Sequence, residues 1–532
     1  VYALLKKHLF PVLEAKELDK AQFADYLFNQ VKILRIPLPH DTQLNHYFEI
    51  MNTRGEQLEK HEVLKATLMS KLQPEEHPLF HRIWEACADM NSYVQMKFSV
   101  GNRTILFGKN WRELQFDQFD RLREALFKQK DGEQKSKENS APLTLNRLFE
   151  DAKKGSRYGQ SEVGSEGTGE QERFGSIINF PNFLLQVLKV CYHRSEFYQE
   201  KKIDEQIRLD DKGLIPIFET VLQSLDNEEE QAEFVKFFII KLLFLRTQYD
   251  RYVIKREENN GTESWSLKTI QKYDKNKVDY VNTFSDEGGD AKAVRLLEAM
   301  FHVSAPTQIY KHWLNALLHA LNRDEPVTAS FLRNQLYNLA CSFMLDIYLA
   351  KEKTTFEDIV YHQEGKPAHD LNNIDWGRID QGCSVHNFIF NFYDFITWQN
   401  APEDYSKFDF SYRTSVEHFY PQKPMKGYDC LNKDVLHSFG NLCLISSSMN
   451  SKFSNNMPKA KLANFGLDEE VRNGLSLKLL EMMDVVKVKG DWSENEIKVF
   501  NEEAKKRFQK ALSNLREENN PQIGHDLKEG KE

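Results

Sequence analysis

Three short stretches near the C-terminal end hold side chains that could hydrolyse a phosphodiester. The first, Ser415-Val416-Glu417-His418-Phe419-Tyr420-Pro421-Gln422, sets a carboxylate beside an imidazole. The second, Gly440-Asn441-Leu442-Cys443-Leu444-Ile445, supplies an amide, and the third carries Asn450. A hard divalent cation wants oxygen ligands, which Glu417 and the amide oxygen of Asn450 can supply. His418, with an ordinary pKa near neutral, suits a general base acting on water. Asn441 is placed to fix the imidazole. A metal so held would polarise the phosphate and stabilise the leaving oxygen.

The elements that must position these groups are legible as strand, long loop, strand and short helix. The alternation at 409–417 predicts one strand and the apolar run at 442–445 a second. Neighbouring strand residues point to opposite faces, but Pro421 ends the first strand. Glu417 and His418 can therefore converge where it frays. From Arg413 to Lys461 there are seven basic residues against three acidic, while the whole chain carries a net charge of −9. A local basic island of this kind suits phosphate. His437, close in sequence, is read as a packing residue or a phosphate contact rather than a catalytic one.

The pattern Glu-His-x-x-Pro-Gln, Gly-Asn-Leu and a spaced Asn resembles the HNH (ββα-metal) nuclease fold. It looks most like the C-terminal nuclease domain of GmrSD-type modification-dependent restriction enzymes. The resemblance implies His418 as general base, Glu417 and Asn450 as metal ligands, Asn441 as the residue that fixes the His418 ring, and Lys459 or Lys461 near phosphate. It implies Mg²⁺ or Mn²⁺ as cofactor. Double-stranded DNA, modified DNA included, is the implied partner, in a cytoplasmic phage-defence setting with no membrane. A homodimer is left open.

Phe48 to Leu58 (Phe-Glu-Ile-Met-Asn-Thr-Arg-Gly-Glu-Gln-Leu) resembles a stretch of the ParB-like domain in the same enzymes. Asn52, Arg54 and Gly55 are its candidate nucleotide or phosphate contacts. The family's Asp-Gly-Gln-Gln-Arg motif, tied to nucleotide hydrolysis, does not precede residue 48. A nucleoside triphosphate is therefore expected only with that motif supplied. The competing reading is a catalytically inactive DNA- or protein-binding regulator of the same descent.

The chain has 532 residues, enough for roughly three to four domains. With 40% hydrophobic and 28% charged residues it is a globular composition, and 37 phenylalanines predict an aromatic core. Val1 opens directly in an apolar helical pattern, without methionine or cap, and the chain is expected to be a fragment. The fold expected is mainly α, with a C-terminal α+β domain. Residues 1–127 read as the helical tail of a ParB-like domain, with helices at 21–34 and 59–72. Residues 128–175, with six glycines in 155–175, read as a linker holding a short helix at 144–154.

Residues 176–359 read as a helical middle domain, with helices at 183–192, 214–225, 228–246, 291–301 and 329–350. A β-hairpin near 252–270 turns at Asn260-Gly261. Residues 360–516 form the expected nuclease domain, with further helices at 386–398, 468–483 and 494–513, and 517–532 a polar tail. The six cysteines lack any CxxC pair and are expected to be buried free thiols.

Overall fold

The computed structural model describes residues 58–127, 174–194, 207–259, 262–274, 277–285, 289–363 and 365–518, with isolated residues 19, 23, 25, 26 and 29. The chain divides into two compact units, Val1–Glu59 and Lys60–Glu532. Most of the expected helix at 21–34, the Asn52-Arg54-Gly55 loop and the expected helix at 144–154 lie outside the described residues.

Among its described residues the second unit is mainly helical with three small antiparallel sheets. β1 (Phe174–Gly175), β2 (Lys255–Asn259) and β3 (Thr262–Ser266) form one. β4 (Lys268–Lys272) pairs with β5 (Val278–Asn282). β6 (Ser415–His418) pairs with β7 (Leu442–Ile445). One apolar core extends from Leu64 to Leu512.

The helix Glu228–Tyr252 is the longest in the middle of the chain, and its start follows from local chemistry. The Asn227 side chain accepts from the Glu230 amide at 2.9 Å. Three glutamates in the first turn face the positive end of the helix dipole. Near its C-terminal end Arg246, fully buried, pairs with Asp250 one turn on and donates to the carbonyls of Asp89 and Ser92. Asp250 accepts in turn from the Val94 amide at 2.7 Å. The expected hairpin strand at 252–254 is thereby displaced: Tyr252 still belongs to the helix, and pairing starts at Lys255. The β4–β5 hairpin and the helices His77–Ala88 and His312–Leu321 were not anticipated.

In the C-terminal third the Phe-rich helix Asn387–Asn400 and the last helix, Glu494–Glu518, support the β6–β7 hairpin. Phe439, just before β7, packs on Phe390 at 5.0 Å and on Phe508 at 5.7 Å. Gly440 lets the strand approach the last helix: a Cβ there would lie 2.3 Å from the Ile497 carbonyl oxygen. That helix starts on the expected capping box, with the Ser493 amide donating to Glu496 at 3.2 Å.

Two expected elements differ. The strand expected over 409–417 is paired only from Ser415. The segment before it is held by side chains instead: Arg413 is buried and donates to the Gly474 and Leu475 carbonyls at 3.0 and 3.1 Å. The helix expected over 468–483 is two, Glu469–Asn473 and Leu477–Lys489, with Ser476 capping the second. All six cysteines are free, but Cys383 and Cys430 are exposed rather than buried.

Candidate active site

The hairpin and the helix Ser447–Phe453 that follows β7 give the order strand, strand, helix. In β6, Ser415 and Glu417 share one face and Val416 and His418 the other. Asn450, on the helix, donates its Nδ2 to Ser415 Oγ at 2.8 Å. Glu417 and Asn450 thus lie along the same side of the hairpin. Among the described residues, no hydrogen bond links the His418 ring to either of them.

His418 is the last residue of β6 and only 1% exposed, yet its ring meets polar partners. Gln422 Nε2 donates to Nδ1 at 3.0 Å, which places the ring proton on Nε2. Nε2 lies 3.0 Å from His437 Nδ1, so His437 accepts from His418. Burial, then electrostatic repulsion from His437 and Lys461, pushes the His418 pKa down to about 4. The ring is therefore neutral at pH 7 and able to take a proton. Cys383 Sγ lies 3.9 Å from His418 Nδ1 and donates to the Val416 carbonyl at 3.4 Å. Burial, then the Glu417 charge, raises its thiol pKa. The carboxylate and the imidazole are thus both close to the same thiol.

His437 is fixed by the turn Gly382–Ser384. The Gly382 amide donates to the His437 carbonyl at 3.0 Å. Gly382 has a φ of +59°, and a Cβ there would stand 2.9 Å from His437 Nδ1. Glycine is required here for both backbone conformation and space.

Asn441 makes its hydrogen bonds to groups other than the His418 ring, which the sequence reading had it fix. Its Oδ1 accepts from the Tyr420 amide at 2.7 Å and from Trp492 Nε1 at 3.3 Å. Its Nδ2 donates to the carbonyls of Tyr420 and Leu436 at 3.1 and 3.0 Å. It therefore clamps the backbone that leaves β6, and orients His418 only through the chain. The ring itself is held by His437 and Gln422.

Lys461 also departs from its expected place. It is fully buried, with Nζ donating to the His418 and Phe419 carbonyls at 2.8 and 3.0 Å. Its ammonium cannot face DNA, because the end of the strand encloses it. Lys459, two residues earlier, is exposed. Residues three or four apart share a helix face, and residues two apart do not.

Among the described residues, no three His, Cys, Asp or Glu side chains cluster as a metal site. The oxygen donors available are the Glu417 carboxylate and Asn450 Oδ1. Lys461 stands 3.7 Å from Glu417, and burial raises the Glu417 pKa despite that charge. A pair of hard oxygens with an under-compensated carboxylate fits Mg²⁺ or Mn²⁺, ions that keep several waters when bound. It does not fit a structural zinc site, which needs four protein ligands.

The sequence reading gave no role to Gln422, Ser415, Gly382 or Cys383. Gln422 stands four residues after His418, so its spacing was a usable signal. The turn at 382–384 carried none. No helix among the described residues is long and apolar enough to cross a membrane. Neither the curated proteins nor the solved structures yield a match. Residues 370–503, which include every group of the hairpin site, match the model of the GmrSD restriction endonucleases, C-terminal domain.

Proposed function

We propose that the chain is a metal-dependent DNA endonuclease of the HNH type, acting in restriction of modified or foreign double-stranded DNA, with His418 as general base. The observation that carries this reading is a neutral, fully oriented imidazole at the end of a strand in a strand–strand–helix unit. Gln422 is exposed and covers Nδ1. On substrate binding it swings aside and a water takes its place. Nδ1 accepts the proton of that water as its oxygen attacks phosphorus; the bond from phosphorus to the leaving sugar oxygen breaks, that oxygen takes a proton from solvent, and the ring becomes an imidazolium. Its Nε2–H continues to donate to His437 Nδ1, which shares the new charge. Glu417 and Asn450 would hold the divalent cation, which supplies charge stabilisation at the phosphate. Lys461 and Asn441 keep the strand end in place, and Lys459 offers an outward cation to the DNA backbone.

An inactive regulator is favoured by one observation: the Lys461 ammonium lies beside Glu417, where it partly neutralises the carboxylate. Plasmid cleavage with Mg²⁺ or Mn²⁺, wild type beside His418→Ala, separates the readings. The mutant is expected to cut about 10²–10⁴-fold more slowly with DNA binding retained. Equal cutting by both proteins excludes His418 as the base. No cutting by either, on unmodified and modified DNA and with nucleotide triphosphate present, favours the regulator.

A further inference from the structure

A cavity of about 580 Å³ lies next to the turn that holds His437. Its size is that of a small-molecule site, about 300–1,000 Å³. Its lining is aromatic. His312 lies flat on Phe356, with centroids 4.5 Å apart and planes within 4°. Tyr348 packs against His386 at 4.4 Å and Phe388 at 4.8 Å. Burial lowers the pKa of both histidines, His312 to about 4, so their rings are neutral faces at pH 7.

The charged residues of the lining are Lys353 and Arg378, and no Asp or Glu is among them. Two donors of the lining are buried without an acceptor, Trp313 Nε1 and Arg378 Nε. Trp313 is 3% exposed. The Asp375 carboxylate forms an ion pair with Arg378 at 3.6 Å, which offsets part of its charge but is too long for a hydrogen bond to Nε. A buried donor left unpaired costs about 1–3 kcal/mol, so such atoms mark where an acceptor belongs.

Flat apolar faces, two cations and unpaired donors together select a ligand with a π-system, acceptor atoms and negative charge. We propose that this cavity binds a nucleotide, its base among the aromatic rings and its phosphate at Lys353 and Arg378. Arginine suits the phosphate because its planar fork can donate two hydrogen bonds at once. Stacking on aromatic side chains contributes about 1–3 kcal/mol per base.

The place of the cavity gives the nucleotide a use. Gln381 and Ser384 line it, while Gly382 and Cys383 between them touch His437 and His418. A bound nucleotide therefore sits one turn of chain from both histidines. It can come from the substrate, as a base turned out of the duplex, or from solution. The first source rests on the nuclease reading; the binding chemistry does not.

The test uses the full chain without divalent cation, so cleavage plays no part. One arm titrates deoxyadenosine monophosphate by calorimetry. The other follows 2-aminopurine emission, which rises on unstacking, in a duplex carrying that base. Binding in the first arm or an emission rise in the second is expected, each weakened about tenfold or more by Lys353→Ala and by Arg378→Gln. Lys353 is exposed, so its variant keeps the fold. An emission rise assigns the duplex as a source, and monophosphate binding assigns free nucleotide. No response in either arm, or responses that both variants leave unchanged, overturns the proposal. Persistence of either response in His418→Ala, whatever that variant does to cleavage, separates this outcome from that of the nuclease reading.

Discussion

Buried cations do different work in the two halves of this molecule. In the helical body Arg246 and Lys255 surround one carboxylate, Asp250, which offsets part of their charge within the cluster. Under the β6–β7 hairpin the buried lysines serve carbonyls instead. Lys461 caps His418 and Phe419, and Lys478 caps Phe439 and Leu442 at 2.7 and 2.5 Å. Burial pushes Lys478 down to about 7, and also lowers Lys461. The body thus locks its geometry with a closed ion cluster. The hairpin fixes its strand ends with buried lysines that donate mainly to carbonyls, Lys461 standing 3.7 Å from Glu417 as well.

The largest effect should come from opening the closed cluster. Asp250→Ala leaves Arg246 and Lys255 buried without a counter-charge and frees the Val94 amide. A loss of about 3–5 kcal/mol in denaturant unfolding is expected. Lys461→Met should cost less, about 1–3 kcal/mol, because its closest partners are carbonyls and the Glu417 carboxylate it leaves is partly open to water. Its effect should be concentrated at the site, with cleavage falling more than stability. If the two variants destabilise equally, or Lys461→Met leaves cleavage intact, the contrast between the halves fails.

The β7 strand and the Glu417–His418 pair were legible because their signals are local. The run Leu442–Ile445 is buried at every position, and an unbroken short apolar run encodes that. Long-range partners were not legible. Lys461 and Lys478 lie in helical patterns where lysine ordinarily reads as surface, and only the fold turns them inward. Asn441 was found by its spacing, but its true partner, the Tyr420 backbone, depends on how the loop folds back. The start of β6 was missed because Arg413, which alternation assigns to a strand, is buried against 474–475.

Acid should expose a further difference, since the body also buries neutral histidines. His302 is 4% exposed, between Lys311 Nζ at 3.1 Å and the Tyr412 hydroxyl at 2.8 Å, and burial pushes it down to about 3. The unfolded chain takes up this proton near its ordinary 6.5 and the folded chain only near 3. Stability is therefore present above 6.5 and is lost as the pH falls from there towards 3. The slope is about 1.4 kcal/mol per pH unit for each such histidine. His302→Gln should flatten the curve between pH 6.5 and 4 by about that amount, read from denaturant unfolding at several pH values. An unchanged slope would show that His302 is protonated in the fold.

The smallest effect sharpens the hairpin side. Lys459 and Lys461 are two residues apart on the helix Pro458–Phe465, and they face opposite ways. Lys461 is enclosed by the strand end, which leaves Lys459 as the cation of that pair able to meet a phosphate. Lys459→Ala should change stability by no more than about 0.5 kcal/mol, as exposed substitutions do. It should weaken DNA binding uniformly across sequences and lower the slope of log affinity against log salt by about 0.9, the share of one phosphate. The same slope measured on Lys461→Met should not change, because a buried ammonium releases no counterion from DNA. A reduced slope in Lys461→Met, or an unchanged one in Lys459→Ala, would reverse which of the two cations faces the nucleic acid.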